Sequence, residues 1–167
     1  MSIRVCIRHP GAADRREFLA RSRASRRLHH PWVSTPSNSA EFTRYLRRMQ
    51  EPGQCGFLVC DARTQAIVGV INISHIILGP LRSAFVGYYA FAGFERQGLM
   101  REGLHAVVQY AFTRLKLHRL EANIQPGNAA SLALARSCGF VKEGFSRRYL
   151  KIGGRWRDHE RWAIVAS

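Results

Sequence analysis

The residues whose types and spacing could do chemistry are densest in Phe91 to Leu115, FAGFERQGLMREGLHAVVQYAFTRL. The apolar run Ala84 to Phe91 reads as a buried strand, a short turn follows, and a helix is expected from about Gly98. Leu99, Met100, Leu104, Val107, Val108, Ala111 and Leu115 recur at helical spacing, an apolar face about 100° wide. A strand passing through a tight glycine-bearing turn into a helix makes an anion site, because the first helical N–H groups are free and the helix dipole favours a negative guest. The expectation is that Arg96, Gln97, Gly98, Leu99, Met100 and Arg101 wrap a pyrophosphate. One glycine also fits an ordinary strand-to-helix turn, so this stretch needs support from the rest of the chain.

Other reactive residues form weaker patterns. The four cysteines show no CxxC spacing and the seven histidines no metal-ligand spacing, so no metal is expected. Cys6, Cys55, Cys60 and Cys138 fit reduced, buried thiols in a cytoplasmic protein. Asp158-His159 is a catalytic pair on paper, but adjacent residues on a strand point to opposite faces. His29 and His30 fall in a loop with Trp32, where they line an acceptor groove or are simply solvated. Trp32 either plugs the core or lines that groove.

The elements that must position these groups can be followed along the 167 residues, which are expected to form one domain over 1–167. A hydrophobic content of 46% argues for a packed globule, and no apolar stretch reaches the length of a membrane span, so no membrane is expected. The N-terminal residues carry charge too early for a signal peptide. Ile3, Val5 and Ile7 alternate with polar neighbours as in a half-exposed strand, and Asp14 to Arg27 reads as a basic helix. Leu28 to Ser39 is a loop, and Glu41 to Met49 a second helix. Cys55 to Cys60, Ile67 to Ile77 and Ser83 to Phe91 form an antiparallel meander. After the central helix come a strand at Arg119 to Ile124 and a short helix with Asn128 as N-cap, stopped at Gly139. Val141 to Ile152 and Trp156 to Val165 then pair across Gly153-Gly154.

Charge is the outlying quantity: 26 basic residues against 11 acidic, a net +15. Such a field attracts polyanions, whether nucleic acid, a ribosome surface, an acidic peptide or a phosphate-bearing cofactor; a solvated Arg-rich surface explains it equally.

This order of elements resembles the GNAT acyl-CoA N-acyltransferase fold, an α/β (α+β) domain with a mixed, largely antiparallel sheet of about seven strands and about four helices. Within it the chain is similar to the RimJ/RimL-type branch, the ribosomal-protein alanine N-acetyltransferases. The resemblance rests on Gly98-Leu99-Met100-Arg101-Glu102, Leu117-His118-Arg119-Leu120-Glu121-Ala122-Asn123, Asn128-Ala129-Ala130-Ser131, Cys138-Gly139-Phe140-Val141-Lys142-Glu143-Gly144 and Tyr149 to His159. It implies transfer of an acetyl group from acetyl-CoA to a primary amine, with no metal. The acceptor it implies is a protein or peptide N-terminus or a small amine, with ribosome association and a monomer or homodimer both open.

The resemblance also assigns roles. Arg96 stands where this branch usually has glycine, so a positive φ there would be costly, offset by a guanidinium offered to the phosphates. The strand ending at Ala90 and Phe91 is expected to splay from Arg119 to Ile124, leaving backbone N–H groups for the pantetheine and an oxyanion. Asn128 holds the pantetheine arm or caps its helix. Ser131 supplies a proton to the CoA thiolate or only completes the helical turn. Trp32 and Tyr149 fall on the acceptor side. The branch's carboxylate before the Tyr-Leu pair is Arg148 here, which cannot serve as a base. Glu121 is the alternative base, unless Arg119 holds it as structure, in which case a water chain takes the proton. The positive charge disfavours a polyamine or aminoglycoside acceptor. A basic RNA- or ribosome-binding module with a degenerate transferase fold is the rival reading.

Overall fold

The computed structural model describes residues 3–167. Among them lie seven strands, β1 (Val5–Arg8), β2 (Cys55–Asp61), β3 (Ile67–Ile77), β4 (Ser83–Ala90), β5 (Arg119–Ile124), β6 (Val141–Ile152) and β7 (Arg155–Val165). Five α-helices join them: α1 (Arg15–Ala24), α2 (Arg26–His29), α3 (Ser39–Met49), α4 (Leu99–Thr113) and α5 (Ala129–Ser137). The sheet order is β1-β2-β3-β4-β5-β7-β6, with every neighbouring pair antiparallel except β4 and β5. The expected GNAT architecture is therefore present, with one helix more than anticipated.

Both faces of the sheet are covered, and β2 shows why its sequence reads as an unbroken apolar run. Alternation sends Phe57 and Val59 to a core built with α4 and α5, and Leu58 and Cys60 to a second core with α1 and α3. The first core centres on the buried α4 residues Leu104, Val107 and Ala111, and Gly103 lets that helix approach Val59, whose methyls a Cβ would meet at 2.7 Å. The second contains Phe18, Phe42, Tyr45 and Phe91, with ring centroids 4.9 to 6.2 Å apart among contacting pairs.

The extra helix arises at Ser25, where the basic helix expected to run unbroken to Arg27 divides. Ser25 is buried; its hydroxyl donates to the Arg21 carbonyl at 2.6 Å and accepts the Ala92 amide at 2.8 Å. A side chain bonded to the preceding turn competes with the helical ladder, and here it also ties α1 to the end of β4. The chain then turns helical again through His29, which sequence reading left in a loop.

Candidate active site

β4 and β5 pair over only three residues, Ser83 with Arg119, Ala84 with Leu120 and Phe85 with Glu121, and then part. The Phe91 amide donates to Val68 on the β3 side at 2.8 Å. Backbone groups alternate along a strand, so the amides of Tyr88 and Ala90 face the opening toward β5. The expected splay is thus in place, with Ala90 on its free edge. The Phe91 side chain is fully buried, its amide is used by Val68, and its carbonyl accepts from Phe94 at 3.4 Å.

The turn from β4 to α4 closes one end of this opening. Gly93, Arg96 and Gly98 all have positive φ, at 95°, 59° and 76°. Left-handed residues interspersed with ordinary ones gather successive N–H groups into a concave anion nest, here opening on the α4 N-terminus. Arg96 adopts the left-handed conformation that its replacement of a glycine implied. Side chains fix the turn from inside: Glu95 accepts the Gly93 amide at 2.6 Å, Gln97 donates to the Gly93 carbonyl at 2.9 Å, and Arg4 donates to the Gln97 carbonyl at 3.1 Å. Leu99 and Met100 are buried, so only their amides are available to a ligand. Arg96 and Arg101 are exposed cations beside the nest.

α5 forms the other wall. Asn128 Oδ1 accepts the Ser131 amide at 3.3 Å, an N-cap at the first turn. The Ser131 hydroxyl has no hydrogen-bond partner among the described residues. Tyr88, which sequence reading passed over as a strand residue, crosses from β4 and donates its phenolic O–H to the Ser131 carbonyl at 2.9 Å. Burial pushes the Tyr88 phenol up to about 12, more than the Ser131 bond draws it back, so it remains a donor at neutral pH. Cys138 is a buried thiol whose pKa burial raises, and its Sγ donates to the Arg101 carbonyl at 3.7 Å.

On the opposite face, Glu121 accepts from Arg119 Nε at 2.8 Å, and Arg119 is also bound to Glu143. Two residues along, Asn123 Oδ1 is buried without a partner. An orphaned acceptor beside an open strand edge is the kind of atom a bound ligand satisfies. Nothing in the odd-numbered alternation of β5 distinguished it beforehand.

α2 supplies a second feature absent from the sequence reading. His29 is buried; its Nε2 donates to the Ala90 carbonyl at 2.8 Å and its Nδ1 faces Thr35 Oγ1 at 3.4 Å. Burial holds its pKa below the ordinary imidazole value, outweighing the Ala90 contact. His29 also lines a cavity of about 400 Å³ between α2, its following loop and the β6–β7 turn. Trp32 is neither a core plug nor a lining residue of that cavity. It is half-buried, its ring would meet a Cβ on Gly127 at 3.1 Å, and its carbonyl accepts from Gln125 at 3.3 Å. Tyr149 is exposed, its ring 6.2 Å from that of buried His159. Asp158 and His159 form no dyad, since Asp158 accepts the Arg148 amide at 2.8 Å and His159 Nδ1 donates to the Arg157 carbonyl at 2.9 Å. Among the described residues no cluster of His, Cys, Asp or Glu could hold a metal, and no helix is long and apolar enough to cross a membrane.

Comparison with known proteins bears on this geometry. Residues 4–141 match the family described as acetyltransferase (GNAT) domain. The Escherichia coli [ribosomal protein uS5]-alanine N-acetyltransferase is 37% identical over 109 residues, 65% of this chain and 56% of that protein, so the match leaves much of that relative uncovered. A Vibrio cholerae spermidine N(1)-acetyltransferase is 27% identical over 154 residues, 90% of this chain and 87% of its own. Among solved structures, Mycobacterium smegmatis RimJ in complex with CoA-disulfide superposes with a TM-score of 0.89 at 27% identity, covering 97% of this chain and 82% of that one.

Proposed function

From the premise that the chain belongs to the GNAT acetyltransferase family and is an N-acetyltransferase, we propose that it moves the acetyl group of acetyl-CoA to a primary amine, in the first instance the N-terminal α-amine of a protein or peptide. Transfer is by direct attack while both substrates are bound. The observation that carries this reading is the parting of β4 from β5 after three residue pairs, beside the anion nest that opens α4.

Acetyl-CoA brings an acyl thioester, already activated toward an amine. The chain's part is to hold and polarise it. The amides from Gly98 to Arg101, with the Arg96 and Arg101 guanidiniums, grip the diphosphate, while Gln97 keeps the turn in shape. The free amide of Ala90 donates to the thioester carbonyl oxygen as charge develops there. Asn123 Oδ1 accepts an N–H from a bound substrate, and Asn128 sets the α5 turn against the pantetheine. The Ser131 hydroxyl donates to the departing thiolate, its turn held by Tyr88. Trp32 and Tyr149 bound the acceptor side. Positioning of this kind supplies several kcal/mol, on the order of 7 or more in favourable cases, so few reactive groups are needed.

Removal of the amine proton falls to the free Oε2 of Glu121 or to water. An N-terminal amine with a pKa of about 8 is partly neutral at physiological pH, which makes the water route sufficient. A pH–rate profile of Glu121→Gln that superimposes on the wild type excludes Glu121 as base. The net charge of +15 supports association with the ribosome, as a route to an acceptor presented there.

Titration of acetyl-CoA into the protein, followed by CoA release over N-terminal peptides and small amines, tests the reading. Saturable binding and amine-dependent CoA release are expected. Protein that ignores acetyl-CoA, yet binds RNA with an affinity falling steeply with salt, would be a binding module on a transferase fold instead.

A further inference from the structure

We propose that the cavity between α2 and the β6–β7 turn is an anion subsite for the acceptor, so that the preferred amine carries a carboxylate, with Arg157 and Arg26 as its counter-charges. The proposal rests on the acetyl-transfer reading and specifies its substrate class.

The cavity of about 400 Å³ is lined by Arg26, His29, Ser34, Thr35, Gly153 and Arg157, among others, and none of its lining residues is Asp or Glu. Glu41 contacts the lining residue Ser37, whose amide and hydroxyl donate to its Oε2 at 2.7 and 3.0 Å, and the neighbouring Asp158 accepts the Arg148 amide at 2.8 Å. Only four of the arginines pair with carboxylates among the described residues: Arg4 with Glu102, Arg8 with Asp14, Arg21 with Glu17 and Arg119 with Glu121 and Glu143. Among the described residues Arg26 and Arg157 find none. Arg157 Nε is in addition buried without a hydrogen-bond partner.

A buried donor of a permanently charged group is costly to leave unpaired, and the planar guanidinium matches the two oxygens of a carboxylate. His29 places this subsite beside the chemistry, because the same ring lines the cavity and donates to the Ala90 carbonyl at 2.8 Å. An amine presented to the free edge of Ala90 therefore has its remaining atoms directed at Arg157 and Arg26. A polyamine would bring further ammonium groups against two unpaired guanidiniums with no carboxylate lining to receive them.

The test compares matched amines under saturating acetyl-CoA. L-Alanine is set against L-alaninamide, alanyl-glutamate amide against alanyl-glutamine amide, and spermidine serves as the cationic control. In at least one pair the carboxylate-bearing member is expected to exceed its neutral counterpart about 10- to 100-fold in kcat/KM. The pair that shows it tells a free amino acid from an acidic peptide N-terminus. Arg157→Gln is expected to collapse that ratio toward one and Arg157→Lys to restore part of it, with melting curves confirming that both fold. Equal use of neutral and acidic members, or preference for spermidine, overturns the anion subsite while leaving acetyl transfer standing. Should no amine be turned over, calorimetric titration of L-glutamate into the CoA-bound protein decides: binding lost in Arg157→Gln supports the subsite, and no binding to the wild type refutes it.

Discussion

Arg96→Gly separates two effects of opposite sign at one position. Arg96 sits at φ 59°, where a side chain costs about 1–2 kcal/mol relative to right-handed backbone. Glycine removes that strain but makes the unfolded chain freer, which takes back about 0.4–1 kcal/mol. The net is a stabilisation of about 0.5–1 kcal/mol, or a rise in Tm of about 1–4 °C for a domain of this size. Acetyl-CoA affinity is expected to move the other way. Losing one charge-assisted contact to a phosphate costs about 1.5–3 kcal/mol, a 10- to 150-fold weaker Kd, and the loss should shrink at high salt because Arg96 is exposed. Differential scanning of the free protein and calorimetric titration with acetyl-CoA at low and high salt read both numbers. A variant that melts higher yet binds acetyl-CoA as tightly as the wild type refutes the phosphate contact. One that melts lower refutes the argument that Arg96 is strained.

Three further outcomes test other parts of the site. Gly69→Ala would drive a Cβ into the Met100 sulfur, to 2.6 Å from the Tyr89 carbonyl oxygen and 3.1 Å from Ala90 Cα. Two of those neighbours are backbone and cannot swing aside, so a loss of about 2–3 kcal/mol, ~4–12 °C in Tm, is expected together with a raised KM for acetyl-CoA; a melt within 2 °C of wild type, roughly the shift for 1 kcal/mol, sinks the close-approach argument. Ser131→Ala should lower kcat by about 10²-fold or more with little change in Tm, because Asn128 caps the α5 turn through the Ser131 amide rather than its hydroxyl; equal kcat in the two proteins removes the proton-donor role. His29 has a lowered pKa, so between the ordinary imidazole value of about 6.5 and its folded value the unfolded chain takes up a proton that the folded ring refuses. Its contribution is therefore present above about pH 6.5 and lost as pH falls through the lowered folded pKa, and the slope of Tm against pH over that interval should flatten in His29→Gln.

Much of this was legible in the residues. β6 and β7 ended where alternation met Gly153-Gly154, and the meander from Cys55 to Ala90 was marked by its turns. The left-handed conformation at Arg96 followed from a residue standing where a glycine was expected. What escaped notice depended on partners remote in sequence. Nothing near Ser25 announces that its hydroxyl meets the amide of Ala92, 67 residues on. His29 looked like a loop histidine because its burial comes from Tyr89 and Phe91, at ring distances of 5.1 and 6.0 Å. Trp32 is seated by a remote partner as well, since its ring occupies the space that a Cβ on Gly127 would need. Arg148, at φ 46°, is shaped by a bulge in which Asp158 holds its amide, a pairing that local composition does not encode.

These remote contacts converge on one short length of chain. The end of β4 is held by Val68 on its β3 side, by His29 at the Ala90 carbonyl, by Ser25 at the Ala92 amide and by Met100 lying against Gly69 beneath it. Val68 lies in β3, Met100 in α4, His29 in α2 and Ser25 at the junction of α1 and α2, and together they leave the β5 side as the direction in which backbone amides remain free. A strand edge pinned this way needs no reorganisation when charge develops in front of it, which is the condition under which a single backbone N–H is worth most to a reaction. The same reasoning explains why the site holds few reactive side chains. In the proposed transfer the chemistry rests on an amide that the fold withholds from β5, and substitutions at Ser25 or Gly69 should therefore damage transfer without touching any substrate.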